Sequence, residues 1–145
     1  MKARDVMSAH RVWACAETSN VRNVAEMMAD HNVGSIPVLD DEGRLEGIVT
    51  DRDLCCHVIA MGRSSTLLVR EIMSEPVQTV HPDASLEEIE SLMRQYRIRR
   101  LPVVDDDMRL QGFISIGDLA CHCAGPTEEH ELVSVLEKVS GPARL

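Results

Sequence analysis

The sequence predicts an α+β fold made of two tandem β-α-β-β-α repeats that pack around a pseudo-twofold axis. The main observation is an internal repeat. Residues 36–57 align without a gap onto residues 101–122, at an offset of 65, and eleven of the 22 aligned positions are identical. Turn signals and apolar periodicity fall at the same places in both copies. One copy alone would leave an apolar sheet face open, so the second copy is expected to cover it.

Each repeat opens with a short extended segment followed by a helix. The extended segments are expected at 11–14 and 77–80. Each helix should begin after a side chain suited to an N-cap, Asn20 in the first repeat and Ser85 in the second. Apolar residues at helical spacing predict the buried face of each helix. These residues are Val21, Val24, Ala25 and Met28 in the first repeat, and Leu86, Ile89, Met93 and Tyr96 in the second.

A strand pair and a second helix complete each repeat. In the first repeat, strands are predicted at 36–39 and 44–49 with an acidic turn over 40–43, and the second repeat has the same pattern. Pro37 and Pro102 lack a backbone donor, so their strands are expected to lie at sheet edges or to begin at the proline. The second helix is expected directly after each strand pair.

The repeat divides the chain into four segments. They are a first repeat at 1–61, a linker at 62–69, a second repeat at 70–125 and a tail at 126–145. In the tail, Leu132, Leu136 and Val139 fall on one face at helical spacing, which predicts a short C-terminal helix over 127–139.

Composition and charge exclude several classes of partner. The formal charge of −9 and the aromatic content of 2% argue against nucleic acid, because its binding needs cations for phosphate and aromatic rings for stacking. An acidic surface disfavours anionic membranes, and no stretch approaches the roughly 20 apolar residues that a membrane span needs. The N-terminus has no apolar signal core, so the cytoplasm is the expected compartment. The five cysteines are then expected to be thiols.

A short motif recurs where the strand pair ends and the second helix begins. It reads Gly, two apolar residues, Thr or Ser, any two residues, Asp, over 47–53 and again over 112–118. The N–H groups of a helix N-terminus attract phosphate, a hydroxyl can donate to phosphate or ribose, and a carboxylate can accept from both ribose hydroxyls. The small Gly permits close backbone approach. The same Thr/Ser-x-x-Asp pattern is that of a capping box, so the motif alone leaves both interpretations open.

Residues 3–124 resemble the CBS-domain pair, also called a Bateman module. The resemblance rests on three motifs in the same order and spacing in both repeats: Val/Ile-Met-Ser, Ile/Leu-Pro-Val and the Gly-to-Asp motif. They stand at 6–8, 36–38 and 47–54 in the first repeat, and at 72–74, 101–103 and 112–119 in the second. The chain is similar to the stand-alone bacterial members of that family.

The resemblance implies a regulatory module that catalyses nothing and requires no cofactor. Its regulatory ligand would be an adenosine-type nucleotide, with AMP, ADP or ATP favoured, bound in the cleft between the repeats. Thr50 and Asp53 would hold the phosphate and ribose at one site, and Ser115 and Asp118 at the other. The resemblance further implies a homodimer formed through helices, and a protein partner whose identity the sequence does not give.

Further residues of the two expected sites follow from the same resemblance. The adenine would be walled by Ile36 or Leu101 and by residues that enter the first strand, Val12 and Val77. Arg99 and Arg100 precede Leu101, where the first repeat has Gly34 and Ser35 without charge. Because Arg suits bidentate contact with phosphate, the Ser115/Asp118 site is expected to hold phosphates better.

Two other interpretations stay open. Cys56, His57, Cys121 and His122 occupy equivalent positions after the two motifs, and could gather as a zinc site or act as a thiol sensor on the same fold. Against this, adjacent helix residues point about 100° apart and rarely share one ion. In the other interpretation the chain is an interaction subunit without a ligand, and both motifs are only helix caps.

Overall fold

The computed structural model of the chain describes residues 1–9, 12–75, 77–122 and 135. They form two compact units. The first unit spans Trp13–Val77, and the second combines Met1–Val12 with the chain from Gln78 onward. Each unit mixes helices with a small sheet, which confirms the predicted α+β class. The predicted C-terminal helix at 127–139 lies outside the described residues, apart from Val135.

Both units contain a β-hairpin, and the two hairpins have the same register. β2 (Ser35–Leu39) pairs antiparallel with β3 (Leu45–Thr50), and β4 (Arg100–Val104) pairs antiparallel with β5 (Leu110–Ser115). Every pairing partner in the second hairpin lies 65 positions after its counterpart, including the register shift before the last pair. The hairpins predicted from the repeat are therefore confirmed.

The extended segment that opens each repeat is shorter than predicted. β1 (Cys15–Ala16) pairs in parallel with the end of β2, and in the second unit Val80 makes a single parallel bridge to β4. The predicted strands at 11–14 and 77–80 are therefore wrong in extent, because pairing starts only at Cys15 and Val80. Residue 11 itself lies outside the described residues.

The two prolines explain this short pairing. Pro37 is the third residue of β2, the central strand of a three-stranded sheet, so the prediction of an edge strand or a strand start is wrong for it. In the second unit, the Val80 N–H donates to the Pro102 carbonyl at 3.1 Å. The backbone carbonyl and nitrogen of this proline therefore face the short extended segment that contains Val80. Since proline has no N–H to give, this segment can pair only from the proline carbonyl onward.

The first helix of each repeat begins at the predicted cap. After a short helix α1 (Ala3–Val6), α2 spans Val21–His31 and α4 spans Leu86–Tyr96. The Asn20 carboxamide oxygen accepts the N–H of N3 in α2 at 2.8 Å, and the Ser85 hydroxyl accepts the equivalent N–H in α4 at 3.2 Å. The buried residues are Val21, Val24 and Met28 in α2, and Ile89, Glu90 and Met93 in α4.

Two residues predicted for these buried faces are exposed. Ala25 of α2 lies in the exposed class, and Tyr96, the last residue of α4, is 45% exposed. Both stand at the edge of the apolar stripe rather than at its centre, because successive helix residues are rotated by about 100°. Helical spacing therefore identifies the face, while its width depends on what packs against it.

The hairpin turns share a backbone conformation but differ in sequence. Gly43 has φ +78° and its counterpart Met108 has φ 62°. A left-handed residue that carries a Cβ costs about 1–2 kcal/mol, and glycine avoids this cost. In the first turn, the Asp40 carboxylate accepts the N–H groups of Glu42 and Arg44 at 2.9 Å each. The bond from the Arg44 N–H is the largest of the causes that lower the pKa of Asp40.

A Met-Ser segment packs against the motif glycine of each hairpin. Ser74 forms a two-bond bridge with Ile48, at 2.8 and 3.3 Å, and Ser8 forms the same kind of bridge in the second unit. A Cβ on Gly47 would lie 2.7 Å from the Met73 sulfur, which is closer than any real contact allows. The close backbone approach expected at this glycine is therefore made by the protein's own chain.

These Met-Ser segments belong to opposite sequence repeats. Residues 1–12 open the first repeat but lie in the second unit, and residues up to Val77 lie in the first unit. Repeats and compact units thus divide the chain differently, and the repeat boundaries at 1–61 and 70–125 stay a prediction. The predicted linker at 62–69 ends inside the first unit, where Val69 is fully buried.

Each unit has its own hydrophobic core. The hairpins supply inward side chains with no exposed surface. These are Ile36, Val38 and Val49 in the first unit, and Leu101, Val103 and Ile114 in the second. Val135 is also fully buried and belongs to the second core. Since burying one branched apolar side chain contributes about 1.5–3 kcal/mol, these strands hold the adjoining motifs in place.

Candidate functional site

The Thr/Ser-x-x-Asp motifs lie where a hairpin strand passes into a helix. Thr50 ends β3 and caps α3 (Asp51–Leu54), which continues as a π-helical turn over Cys55–Ile59. Ser115 ends β5, directly before α5 (Ile116–His122). The second helix of each repeat therefore begins where the sequence predicts.

Both motifs form capping boxes. The Thr50 hydroxyl accepts the Asp53 N–H at 3.1 Å, while the Asp53 Oδ2 accepts the Thr50 N–H at 2.8 Å. In the second unit, the corresponding bonds between Ser115 and Asp118 are 3.1 and 2.7 Å. The Ser115 hydroxyl also donates to Asp118 Oδ2 at 2.7 Å. The motif thus has the structural role that its spacing allowed, and all four side chains are only partly buried.

The residues before each Ile/Leu-Pro-Val stand beside these caps. Arg100 lies opposite Ser115 in the hairpin, and the Arg99 carbonyl accepts the N–H of the first α5 residue at 3.0 Å. Both arginine side chains are exposed. The structure therefore brings the two arginines to the same end of the hairpin as Ser115 and Asp118. At the matching place in the first unit stand Gly34 and Ser35.

The aliphatic residues expected around adenine have two different environments. Ile36 and Leu101 are fully buried core residues of their hairpins. Val12 and Val77 are partly buried and lie outside the strands. Val12 falls in the unit that contains the Ser115 motif, and Val77 in the unit that contains the Thr50 motif. Contact of any of the four with a ligand stays a prediction.

The Cys/His positions lie on the exposed side of the second helices. Cys56, His57, Cys121 and His122 are all exposed. The His57 Nε2 lies 3.8 Å from Asp53 Oδ1, whereas the His122 Nδ1 is 2.7 Å from the Asp118 carbonyl. A carbonyl only accepts, so that Nδ1 carries the proton. Among residues 1–9, 12–75, 77–122 and 135, no three Cys, His, Asp or Glu side chains are grouped to hold a metal ion.

One cysteine is separate from these exposed thiols. Cys15 is a core residue of the first unit, and burial raises the pKa of its thiol to about 11. Because the thiolate is the reactive and metal-binding form, Cys15 is suited to packing rather than to chemistry.

Two arrangements in the first unit were not predicted from the sequence. The Asp51 Oδ2 lies 3.2 Å from the position that a Cβ on Gly34 would take, so this carboxylate stands against the strand entry. Trp13 precedes the first strand and stacks on His31 with 3.4 Å between ring centroids. Nothing in the spacing of these residues indicates that they meet, because each pair comes together only through the fold.

No helix in the part of the chain that the structure describes combines the length and the apolar character needed to cross a membrane.

Comparison with solved structures relates this geometry to proteins of known ligand content. A crystal structure of Hypoxic Response Protein I with two coordinated zinc ions is 30% identical and has a TM-score of 0.78, covering 86% of this chain and all of that one. CBSX2 in complex with AMP is 26% identical with a TM-score of 0.74, over 83% of this chain and 93% of that one. The CBS domain pair of MJ0100, in complex with 5′-methylthioadenosine and S-adenosyl-L-methionine, is 27% identical with a TM-score of 0.72, over 83% and 94%.

Sequence comparison gives the family. The CBS-domain protein YhcV of Bacillus subtilis is 39% identical over 117 residues, which is 81% of either chain. Hypoxic response protein 1 of Mycobacterium tuberculosis is 31% identical over 144 residues, 99% of this chain and 96% of that one. The family model of the CBS domain matches twice, at residues 3–59 and 69–125. The chain therefore belongs to the CBS-domain family and carries a tandem pair of CBS domains.

Proposed function

We propose that this CBS pair is a regulatory module that senses an adenosine-type nucleotide through its two Thr/Ser-x-x-Asp motifs. The observation that supports the proposal most is the repetition of one capping geometry at both motifs, Thr50 with Asp53 and Ser115 with Asp118. Relatives more than 25% identical hold AMP, 5′-methylthioadenosine or S-adenosyl-L-methionine. Among adenosine nucleotides, AMP, ADP and ATP are the proposed ligands.

Capping a helix and binding a ribose are compatible at the same carboxylate. In the second unit, both bonds to the cap use Oδ2 of Asp118. An ionised carboxylate has two oxygens and about four acceptor positions, so Oδ1 can accept from ribose hydroxyls while the cap is kept. The Ser115 hydroxyl would exchange its bond to Asp118 for one to the ligand. The cap thus holds the binding groups in position before the ligand arrives.

The arginines next to this cap supply the charge that a phosphate needs. Arg99 and Arg100 are exposed and lie at the end of the hairpin that carries Ser115. Guanidinium groups bind phosphate oxygens through paired hydrogen bonds, which are stronger than those between neutral groups. We therefore assign the phosphate-bearing ligand to the Ser115/Asp118 site. Ile36, Leu101, Val12 and Val77 stay the proposed apolar contacts of the two sites.

Regulation requires that the ligand favour one of two states of the protein. A ligand shifts such an equilibrium only by its difference in affinity for the two states. We propose that the chain forms a homodimer and that the geometry of this dimer differs between the two states. A protein partner distinguishes the two states, and the chain performs no reaction itself. The free thiols of Cys15, Cys55, Cys56 and Cys121 support a cytoplasmic location.

The test is calorimetric titration of the metal-free protein with AMP, ADP and ATP. Saturable binding is expected, and Asp118→Ala should weaken it by roughly tenfold to a hundredfold, since a hydrogen bond to a charged group contributes about 1.5–3 kcal/mol. Ser85→Ala is the matched control. It removes a helix cap from the same unit, away from the motif, and should leave the nucleotide affinity unchanged. Absence of binding to all three nucleotides would contradict the proposal.

A second candidate function is zinc binding, because a relative 30% identical to this chain holds two coordinated zinc ions. The available donors are Cys56, His57, Cys121 and His122. A structural zinc site needs four such ligands. Among the described residues no three such donors lie together, so these four side chains do not by themselves form a zinc site. Elemental analysis of untagged protein decides this: stoichiometric zinc that is lost in Cys56→Ser would favour the metal function, and its absence would exclude a resident zinc.

A further inference from the structure

The position after the motif hydroxyl distinguishes the two units. In the first unit it is Asp51, which is exposed, and in the second it is Ile116, which is 9% exposed and belongs to the core. The Asp51 Oδ1 accepts the Arg52 N–H at 2.8 Å. Its Oδ2 lies 3.2 Å from where a Cβ on Gly34 would stand. The carboxylate is therefore held beside the motif, at a place where the second unit has an aliphatic side chain.

The strand entry beside the motif differs in charge as well. In the second unit it carries the guanidinium groups of Arg99 and Arg100, while in the first it carries Gly34 and Ser35. The charged residues of the second site are Arg99, Arg100 and Asp118, which give it a formal charge of +1. Those of the first site are Arg52, Asp51 and Asp53, which give it a formal charge of −1. The two sites therefore present opposite charge on the same backbone.

We propose that Asp51 makes the Thr50/Asp53 site selective for adenosyl ligands without a phosphate. A phosphate monoester carries about −1.5 to −2 charges at neutral pH, and a carboxylate within a few ångströms of it repels it. A neutral nucleoside or an adenosyl group with a positive charge meets no such repulsion. The inference rests on the proposed function, and it divides that function between the sites. The Ser115/Asp118 site takes the phosphorylated ligand, and the Thr50/Asp53 site takes the uncharged or cationic one.

Arg52 does not cancel the charge of Asp51. The Asp51 Oδ1 accepts the backbone N–H of Arg52 and its Oδ2 lies against the Gly34 strand entry, whereas the Arg52 side chain is long and exposed. The Asp51 N–H also donates to the Gly34 carbonyl at 3.0 Å. These two hydrogen bonds orient the carboxylate beside the motif, whereas a long exposed cation has many orientations. The oriented carboxylate decides which ligand charge the site tolerates.

The experiment isolates the first site with Asp118→Ala and compares adenosine with AMP by calorimetry. The Asp118→Ala protein should bind adenosine saturably, and AMP at least tenfold more weakly. Adding Asp51→Asn should improve AMP affinity by about tenfold and change adenosine affinity by less than about twofold, because only the charge is removed. Asn at 51 keeps the oxygen that accepts the Arg52 N–H. Should Asp118→Ala fail to fold, Asp118→Asn keeps an acceptor for the cap and takes its place.

The matched control is Asp41→Asn in the same background. Asp41 lies in the turn at the far end of the hairpin, and its replacement changes the net charge by the same amount without touching the site. It should leave both affinities unchanged. Equal affinity for AMP and adenosine in the Asp118→Ala protein, or no response of AMP to Asp51→Asn, would overturn the inference while the proposed function stands. If the unsubstituted protein binds neither adenosine nor any of AMP, ADP and ATP, the proposed function falls and the inference with it.

Discussion

The first and second units pair their hairpins in the same register and start their second helices with the same capping box. They differ in the side chains around that shared backbone. The first unit has Asp51 and Gly34 beside its motif, and the second has Ile116 and Arg99. The units also differ in the second helix, which turns into a π-helix in the first unit and stays α-helical up to His122 in the second.

The two repeats agree at positions that the shared backbone requires and differ at positions that it does not require. The residues at the hairpin proline, the first turn aspartate, the motif glycine and the cap aspartate are identical in the two repeats, whereas Gly43 in the turn corresponds to Met108. The positions beside the cap differ in charge, because Asp51 corresponds to Ile116 and Gly34 corresponds to Arg99. A ligand is recognised by the groups beside the cap, so equal folds do not make equal sites.

The largest expected difference concerns one leucine on the second helix of each unit. Leu119 is fully buried, and its counterpart Leu54 is only partly buried against its core. Leu119→Ala should lower the free energy of unfolding by about 3 kcal/mol, since buried Leu→Ala changes cost roughly 2–5 kcal/mol, and Leu54→Ala by about half as much. Urea unfolding followed by circular dichroism measures both. A larger loss in Leu54→Ala would mean that the two helices are not packed as described.

A smaller effect is expected at the hairpin turns, where Gly43 and Met108 share a left-handed conformation. Met108→Gly should raise the free energy of unfolding by about 0.5–1 kcal/mol. Glycine removes a strain of roughly 1–2 kcal/mol in the folded state, but its greater loss of chain entropy on folding offsets part of this gain. Gly43→Ala should lower the free energy of unfolding by about 1 kcal/mol for the same reason. Thermal unfolding of both variants shows whether each substitution raises or lowers the stability, and a Gly43→Ala protein more stable than the unsubstituted one would refute the strain argument.

The smallest expected effect concerns the pKa of Asp40. Its pKa lies below the usual value, chiefly through the Arg44 backbone N–H and less through the Arg44 side chain. The carboxylate therefore stabilises the fold at pH above its unfolded pKa, and this contribution is lost as the pH falls through its folded pKa. Arg44→Ala should raise the pKa of Asp40 only part of the way, because the backbone bonds remain.

NMR titration of the Asp40 carboxyl carbon measures this shift. Arg109→Ala, the equivalent change in the second turn, is the control and should leave the Asp40 titration unchanged. A complete return of Asp40 to its unfolded pKa in Arg44→Ala would contradict the dominance of the backbone bonds.

Much of the fold could be predicted from residues that act locally. Asn20 and Ser85 cap their helices as predicted, because an N-cap needs only a short acceptor next to its own helix. The hairpins followed from apolar runs on either side of an acidic turn. The strands at 11–14 and 77–80 failed, since their length depends on which edge the proline of the neighbouring strand leaves available. Ala25 and Tyr96 failed for a related reason, because the width of a buried face is set by the surface that covers it.

The repeat, the two hairpins, the helix caps and the family could be predicted from the sequence, because each of these depends on neighbours in the chain or on spacing that both repeats share. Three features depend on the tertiary structure, because the spacing of residues along the chain does not encode them. Folding placed the Met-Ser segment of one repeat against the glycine of the other, as between Met73 and Gly47. It buried Cys15 in a core, and it set Asp51 against Gly34. Each of these contacts joins residues distant in sequence, and only the packed chain brings such residues together.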